Sequence, residues 1–167
     1  QDRDLGDGWR EGMAAGSKYV IQETWVKAND PHFDAKERVG VVQNGVIMNA
    51  DALREQLQSE GIVFRSQTDT EVIAQLIGRE LDAQPDIELR DAVSRSLQKC
   101  EGTWGVAVLS VKDPDSVVVA CNGSPMNIGL APGKTFIASE TSAFNRHTKN
   151  FIAMSDLGVP RCCGAFP

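Results

Sequence analysis

The feature that most narrows the fold is a change of hydrophobic period close to residue 100. Upstream, apolar residues recur at helical spacing. Asn49 to Glu60 predicts a helix, with Asn49 or Asp51 placed to cap it, Leu53 and Leu57 four apart on one face, and Gly61 to stop it. Thr68-Asp69-Thr70-Glu71 fits a capping box, and Val72, Ile73, Leu76 and Ile77 continue it as a helix. A third helix is predicted from Ile87 to Gln98 by Leu89, Val93 and Leu97. Downstream, the spacing changes to period two and to apolar runs. Trp104 to Val111 and Val117 to Cys121 read as strands about a turn at Asp113-Pro114-Asp115. Ile128 to Leu130 and Thr135 to Ser139 pair about Pro132-Gly133, followed by a short helix, Thr141 to His147, and a strand, Asn150 to Met154.

The shorter signals lie before and between the helices. Tyr19 to Val26 is β-prone, and Ala28 to His32 is rich in turn formers. Val39 to Val42 reads as a buried strand that ends at Gln43-Asn44-Gly45, since Asn-Gly is a strong turn dipeptide. Val63 to Arg65 reads as a short strand. A strand, then helices, then several strands implies an α+β fold in which helices cover antiparallel sheet.

Charge and composition exclude several classes. The 167 residues suit one domain with one core. A net charge of -6, with basic residues scattered along the chain, argues against nucleic-acid partners, which need clustered Lys and Arg. No apolar run approaches the roughly 20 residues of a membrane span, and Gln1 to Arg10 carries no apolar signal-peptide segment. Cys100, Cys121, Cys162 and Cys163 include no CxxC pair, so no zinc site and no cofactor is expected; free thiols in a reducing compartment fit them better.

Three ordered segments then carry a resemblance. They are Val41-Val-Gln-Asn-Gly-Val-Ile-Met-Asn49; Phe64-Arg-Ser-Gln-Thr-Asp-Thr-Glu-Val-Ile73; and Glu101-Gly-Thr-Trp-Gly-Val-Ala-Val108, continued by Gly123-Ser-Pro-Met-Asn-Ile-Gly129 and Phe136-Ile-Ala-Ser-Glu140. In order and spacing this set resembles the glutaminase domain of glutamine–fructose-6-phosphate amidotransferases, which are class II glutamine amidotransferases. The resemblance spans roughly residues 28–158, leaving 1–27 as a divergent N-terminal arm and 159–167 as a C-terminal tail. It implies an N-terminal-nucleophile (Ntn) hydrolase fold, an αββα sandwich of two antiparallel sheets between helical layers, here incomplete at its N-terminus.

The resemblance also implies site roles. Asn44 and Gly45 match the pair that stabilises the oxyanion formed when a thiolate attacks the glutamine amide, through one side-chain amide and one backbone N–H. Asp69 matches the acid that receives the α-ammonium of glutamine. Without the resemblance, Asn44-Gly45 would read as a turn and Asp69 as a helix N-terminal charge. The departures are equally specific. The family's nucleophile is an N-terminal cysteine, and here residue 1 is Gln1. The Thr-Arg-Trp element, whose Arg grips the ligand carboxylate, appears as Glu23-Thr24-Trp25, and Lys27 cannot reproduce the fork of an Arg. His-Pro-His appears as Asp30-Pro31-His32, and the usual His before Asn-Gly is Gln43.

The leading expectation is therefore a catalytically silent glutaminase-like domain acting as a structural or binding module, with a protein partner or second copy covering the gap left by the family's first strands. One rival is part of an active amidotransferase whose cysteine strand and sugar isomerase domains lie outside this chain. The other is an amino-acid sensor that still binds L-glutamine. The resemblance implies a cytoplasmic setting, or an organelle if a presequence was removed.

Overall fold

The computed structural model describes residues 31–156 and the backbone of a strand at Arg161–Cys163. The readings made for the arm 1–27, Tyr19 to Val26, Glu23-Thr24-Trp25 and Lys27 lie outside the described residues.

Eight strands and three helices form the described fold. In chain order they are β1 (His32–Phe33), β2 (Val39–Ile47), α1 (Ala50–Ser59), α2 (Asp69–Ala83), α3 (Leu89–Leu97), β3 (Gly102–Ser110), β4 (Asp113–Asn122), β5 (Asn127–Ala131), β6 (Lys134–Ala138), β7 (Phe151–Ala153) and β8 (Arg161–Cys163). Every strand pairing is antiparallel. A five-stranded sheet runs β1-β2-β3-β4-β8, and a three-stranded sheet runs β6-β5-β7.

The alternation of side chains along β2, β3 and β4 builds two cores. Val41, Val106, Val108 and Val118 point to the helices, where Leu57, Ile73, Ile77 and Val93 meet them. Each such buried aliphatic side chain contributes about 1.5–3 kcal/mol. Leu109, Val117, Val119 and Cys121 point the other way and pack on Met126 and Ile128 of the second sheet. Among the described residues the helices occupy one side only, giving helix, sheet and sheet: three layers of the expected four. No helix of the described residues is long and apolar enough to cross a membrane.

Local expectations fail where a distant segment takes over the backbone hydrogen bonds. β2 does not turn at Asn44-Gly45. It continues to Ile47 because Asn44 pairs with Gly105 and Gly45 with Trp104. Val63 to Arg65 is not a strand, since the Arg65 and Ser66 N–H groups donate to the Glu71 carboxylate (2.7 and 2.6 Å). The β3–β4 turn falls at Val111-Lys112, not at Asp113 to Asp115. Asp113 pairs with Ser110 and Val117 with Leu109, so Pro114-Asp115-Ser116 bulges out, as suits a proline that cannot donate to the ladder. Thr141 to His147 shortens to a 3₁₀ turn at Thr141–Ala143, because the His147 and Thr148 N–H groups both close onto the Phe144 carbonyl. Within 159–167, Arg161–Cys163 pairs with Ser116–Val118 of β4.

Candidate functional site

One end of the larger sheet gathers the end of β2, the start of β3, the end of β4 and the first turn of α2. Asn44 is exposed near the end of β2, opposite Gly105. Since Gly105 has no side chain, Met126 and Ser124 approach there: a Cβ on Gly105 would lie 3.2 Å from Met126 Cε and 3.7 Å from Ser124 Cβ. Gly123 bridges to Trp104 and donates its N–H to Asp156 Oδ1 at 2.8 Å. The Gly123-Ser124-Pro125 element thus lies beside the Asn44-Gly45 segment.

Gly45 holds a conformation that suits glycine, with φ +133°. A Cβ there would lie 2.1 Å from the Thr103 carbonyl oxygen. The Asn-Gly signal is therefore explained by close approach of β3, not by a hairpin.

The first three residues of α2 fasten this region. Thr68 caps the helix, its side chain accepting from Glu71 N–H, and its Oγ1 lies 2.7 Å from His32 Nε2, which ties β1 to the cap. Ile47 N–H donates to Asp69 Oδ2 at 2.9 Å. Thr70 Oγ1 donates to Gln43 Oε1 at 2.9 Å. These two bonds flank Asn44-Gly45, one on each side. Glu71 accepts from Arg65 N–H, Ser66 N–H and Ser66 Oγ, and this grips the loop leading to Asp69. Asp69 commits Oδ2 to the strand and keeps Oδ1 for a donor. As a first-turn residue of α2 it also complements the positive end of the helix dipole, and the Ile47 bond orients it.

The sulfur groups here are poor nucleophiles. The Cys100 thiol is pushed up to about 11, mainly by burial and further by Asp69, against the lowering effect of Lys99. Its Sγ lies 3.6 Å from the Ser96 carbonyl. At pH 7 only about one molecule in ten thousand would carry the thiolate. Burial, then Asp156, also raises the Cys121 thiol. We expect Cys100→Ser to leave any glutamine-dependent chemistry of the chain unchanged, and iodoacetamide to label Cys100 far more slowly than free cysteine at pH 7. Rapid labelling followed by mass spectrometry would contradict the burial of this thiol.

The structure places Asn44 and Gly45 adjacent on one strand and Asp69 two residues beyond Gly45 along it, through Ile47. Sequence reasoning did not single out Thr70 or Arg54, and it gave Glu71 only a capping role. The sequence carried no signal for the wider role of Glu71, because Val63 to Arg65 reads as a strand whose N–H groups would be paired within a sheet.

A family described as glutamine amidotransferase domain matches residues 19–146. Glutamine–fructose-6-phosphate aminotransferase [isomerizing] of Pseudomonas putida is 44% identical over 126 residues, covering 75% of this chain and 20% of that protein. The enzyme of the same name from Idiomarina loihiensis is 42% identical over 142 residues, covering 85% and 23%. The chain thus spans about a fifth of the curated relatives it matches. In fold it is similar to the glutamine phosphoribosylpyrophosphate amidotransferase of B. subtilis, with a TM-score of 0.63 at 24% identity over 87% of this chain and 34% of that one. A predicted glutamine amidotransferase from Pseudomonas aeruginosa gives a TM-score of 0.57 at 12% identity, over 81% and 62%. The chain is an Ntn-hydrolase-type α+β domain and belongs to the glutamine amidotransferase domain family, related to the glutaminase domain of the glutamine–fructose-6-phosphate aminotransferases.

Proposed function

We propose that this chain carries the oxyanion- and ammonium-binding half of a glutamine site, and that in isolation it binds L-glutamine without hydrolysing it. The observation that carries the reading is the Asp69–Ile47 bond. It sets a carboxylate two strand residues beyond Gly45, about 7 Å at the usual rise. That separation is comparable to the distance from the amide to the α-ammonium of an extended glutamine. Gly45 N–H and the Asn44 amide then face the amide oxygen, and Asp69 faces the ammonium.

The chemistry also supports the silent half of the proposal. Amide cleavage needs an activated nucleophile, and neither Cys100 nor Cys121 is poised as a thiolate. The exposure of Val46 and Met48 beside the pair (60% and 79%) suits a site completed by a further segment or a protein partner. A second reading is favoured by the 40–44% identity to aminotransferases: the chain is the glutaminase portion of a longer enzyme, with its nucleophile outside the described residues.

Asp69→Asn tests the site. It should weaken glutamine binding about 10- to 100-fold, the worth of a charge-assisted hydrogen bond, when measured by calorimetric titration of the full chain. Unchanged affinity would remove Asp69 from the site. Ammonia release by the wild-type chain would overturn the silent half of the proposal; release only by a longer chain that begins with a cysteine would favour the second reading.

A further inference from the structure

We infer that Arg54 is a positioning residue for Asp69, so that glutamine affinity depends on an arginine acting through two backbone carbonyls. The inference rests on the glutamine-site reading above. Arg54 lies in α1 and is only 8% exposed. Its guanidinium donates through one terminal nitrogen to the Ser66 carbonyl at 2.9 Å and through the other to the Thr68 carbonyl at 2.8 Å. The Phe64 ring lies 4.4 Å from the guanidinium carbon. A cation is costly to bury, and a carboxylate is the usual compensation. Here the compensation comes from two carbonyls and an aromatic face, so the charge is used to fix backbone.

The backbone it fixes is the approach to Asp69. The Thr68 carbonyl belongs to the peptide group that joins Thr68 to Asp69, so the fork sets the plane from which the Asp69 carboxylate projects. Glu71 holds the amide side of the same loop through the Arg65 and Ser66 N–H groups. Arg54 holds the carbonyl side. With both in place, the loop delivers Asp69 to Ile47 N–H. Lysine in place of Arg54 keeps the charge and cannot span both carbonyls with a rigid planar fork.

The test compares Arg54→Lys and Asp69→Asn with the wild-type chain, using amide hydrogen exchange and glutamine titration. In Arg54→Lys the Ile47 amide, which reports the Asp69 bond, should exchange about tenfold faster relative to the Val106 and Val118 amides of the core strands, and glutamine affinity should fall about tenfold. A uniform rise across all three amides would mean that Arg54 serves global stability alone and would overturn the inference. So would wild-type affinity in Arg54→Lys when Asp69→Asn loses binding. If Asp69→Asn itself binds like wild type, the glutamine-site reading fails, and with it the claim on affinity; the exchange pattern still decides whether Arg54 places Asp69. Should Arg54→Lys not fold, Phe64→Leu removes the ring beneath the guanidinium and should give the same selective effect at Ile47, about threefold in size. No selective change in Phe64→Leu would then count against the inference.

Discussion

Replacing Gly45 with alanine should destabilise the chain by about 4 kcal/mol, more than an ordinary surface change. The new Cβ would lie 2.1 Å from the Thr103 carbonyl oxygen, 2.8 Å from its carbon and 2.9 Å from Trp104 Cα. All three are backbone atoms of β3. They cannot rotate aside, because the ladder fixes them through Asn44 opposite Gly105 and Val46 opposite Thr103. An L-residue at φ +133° is strained even without the clash, by about 1–3 kcal/mol. Relief therefore requires the ends of β2 and β3 to part, which also displaces the N–H proposed to face the ligand oxygen. Gly61 supplies the contrast: it too has positive φ (+91°), yet a Cβ there meets nothing within 4 Å. Gly61→Ala should cost about 1–2 kcal/mol, the conformational part alone. Urea denaturation of the two variants measures the difference directly. Equal midpoints would mean that the β2–β3 approach at Gly45 is looser than it stands here.

The same glycine shows what the sequence could and could not reveal. Helical faces were legible because they are set by neighbours three and four residues away. Leu53, Leu57, Val72, Ile73, Val93 and Leu97 are all buried as their spacing predicts. The Thr68 cap and the β5–β6 pair about Pro132-Gly133 were legible for the same reason: both are closed by local hydrogen bonds. Asn44-Gly45 reads as a turn locally, and its fate as strand is decided by Gly105 and Trp104, some 60 positions away. The capping box points Glu71 back to Thr68. In the fold its carboxylate passes over Thr68 to Arg65 and Ser66 instead. Arg54 looks like a solvated charge on an amphipathic helix, and nothing in its spacing announces that Ser66 and Thr68 turn their carbonyls toward it. At the site, Asn44, Gly45 and Asp69 stood out only through family resemblance, since their local chemistry offered a turn and a helix start.

The second large effect falls on Glu71. Its residue is 2% exposed, and its carboxylate accepts from Arg65 N–H, Ser66 N–H and Ser66 Oγ between 2.6 and 2.7 Å, with Gln75 further away at 3.4 Å. Burial works to raise the carboxyl pKa. The bonds from the Ser66 side chain, the Arg65 and Ser66 backbone and Gln75 outweigh it and hold the group below its ordinary 4.5. Glu71→Gln keeps the volume but turns an amide NH₂ toward donors, so we expect a loss of about 3 kcal/mol at pH 7. The sign of the pH dependence follows from the lowered pKa. The contribution of Glu71 is fully present above pH 4.5, where the unfolded group is ionised, and it is lost as pH falls through the folded value. Wild type should therefore lose more stability than Glu71→Gln between pH 5 and pH 3, and the two curves should converge in acid. Glu60 and Asp82 are also lowered, Glu60 chiefly by Gln56 and Asp82 chiefly by Lys36, but both proteins retain them and their effect cancels in the difference. Parallel curves would place the Arg65-Ser66 grip elsewhere. Converging curves would tie acid lability to the loop that presents Asp69, and the proposed glutamine site would then lose its ordered carboxylate as the proton arrives.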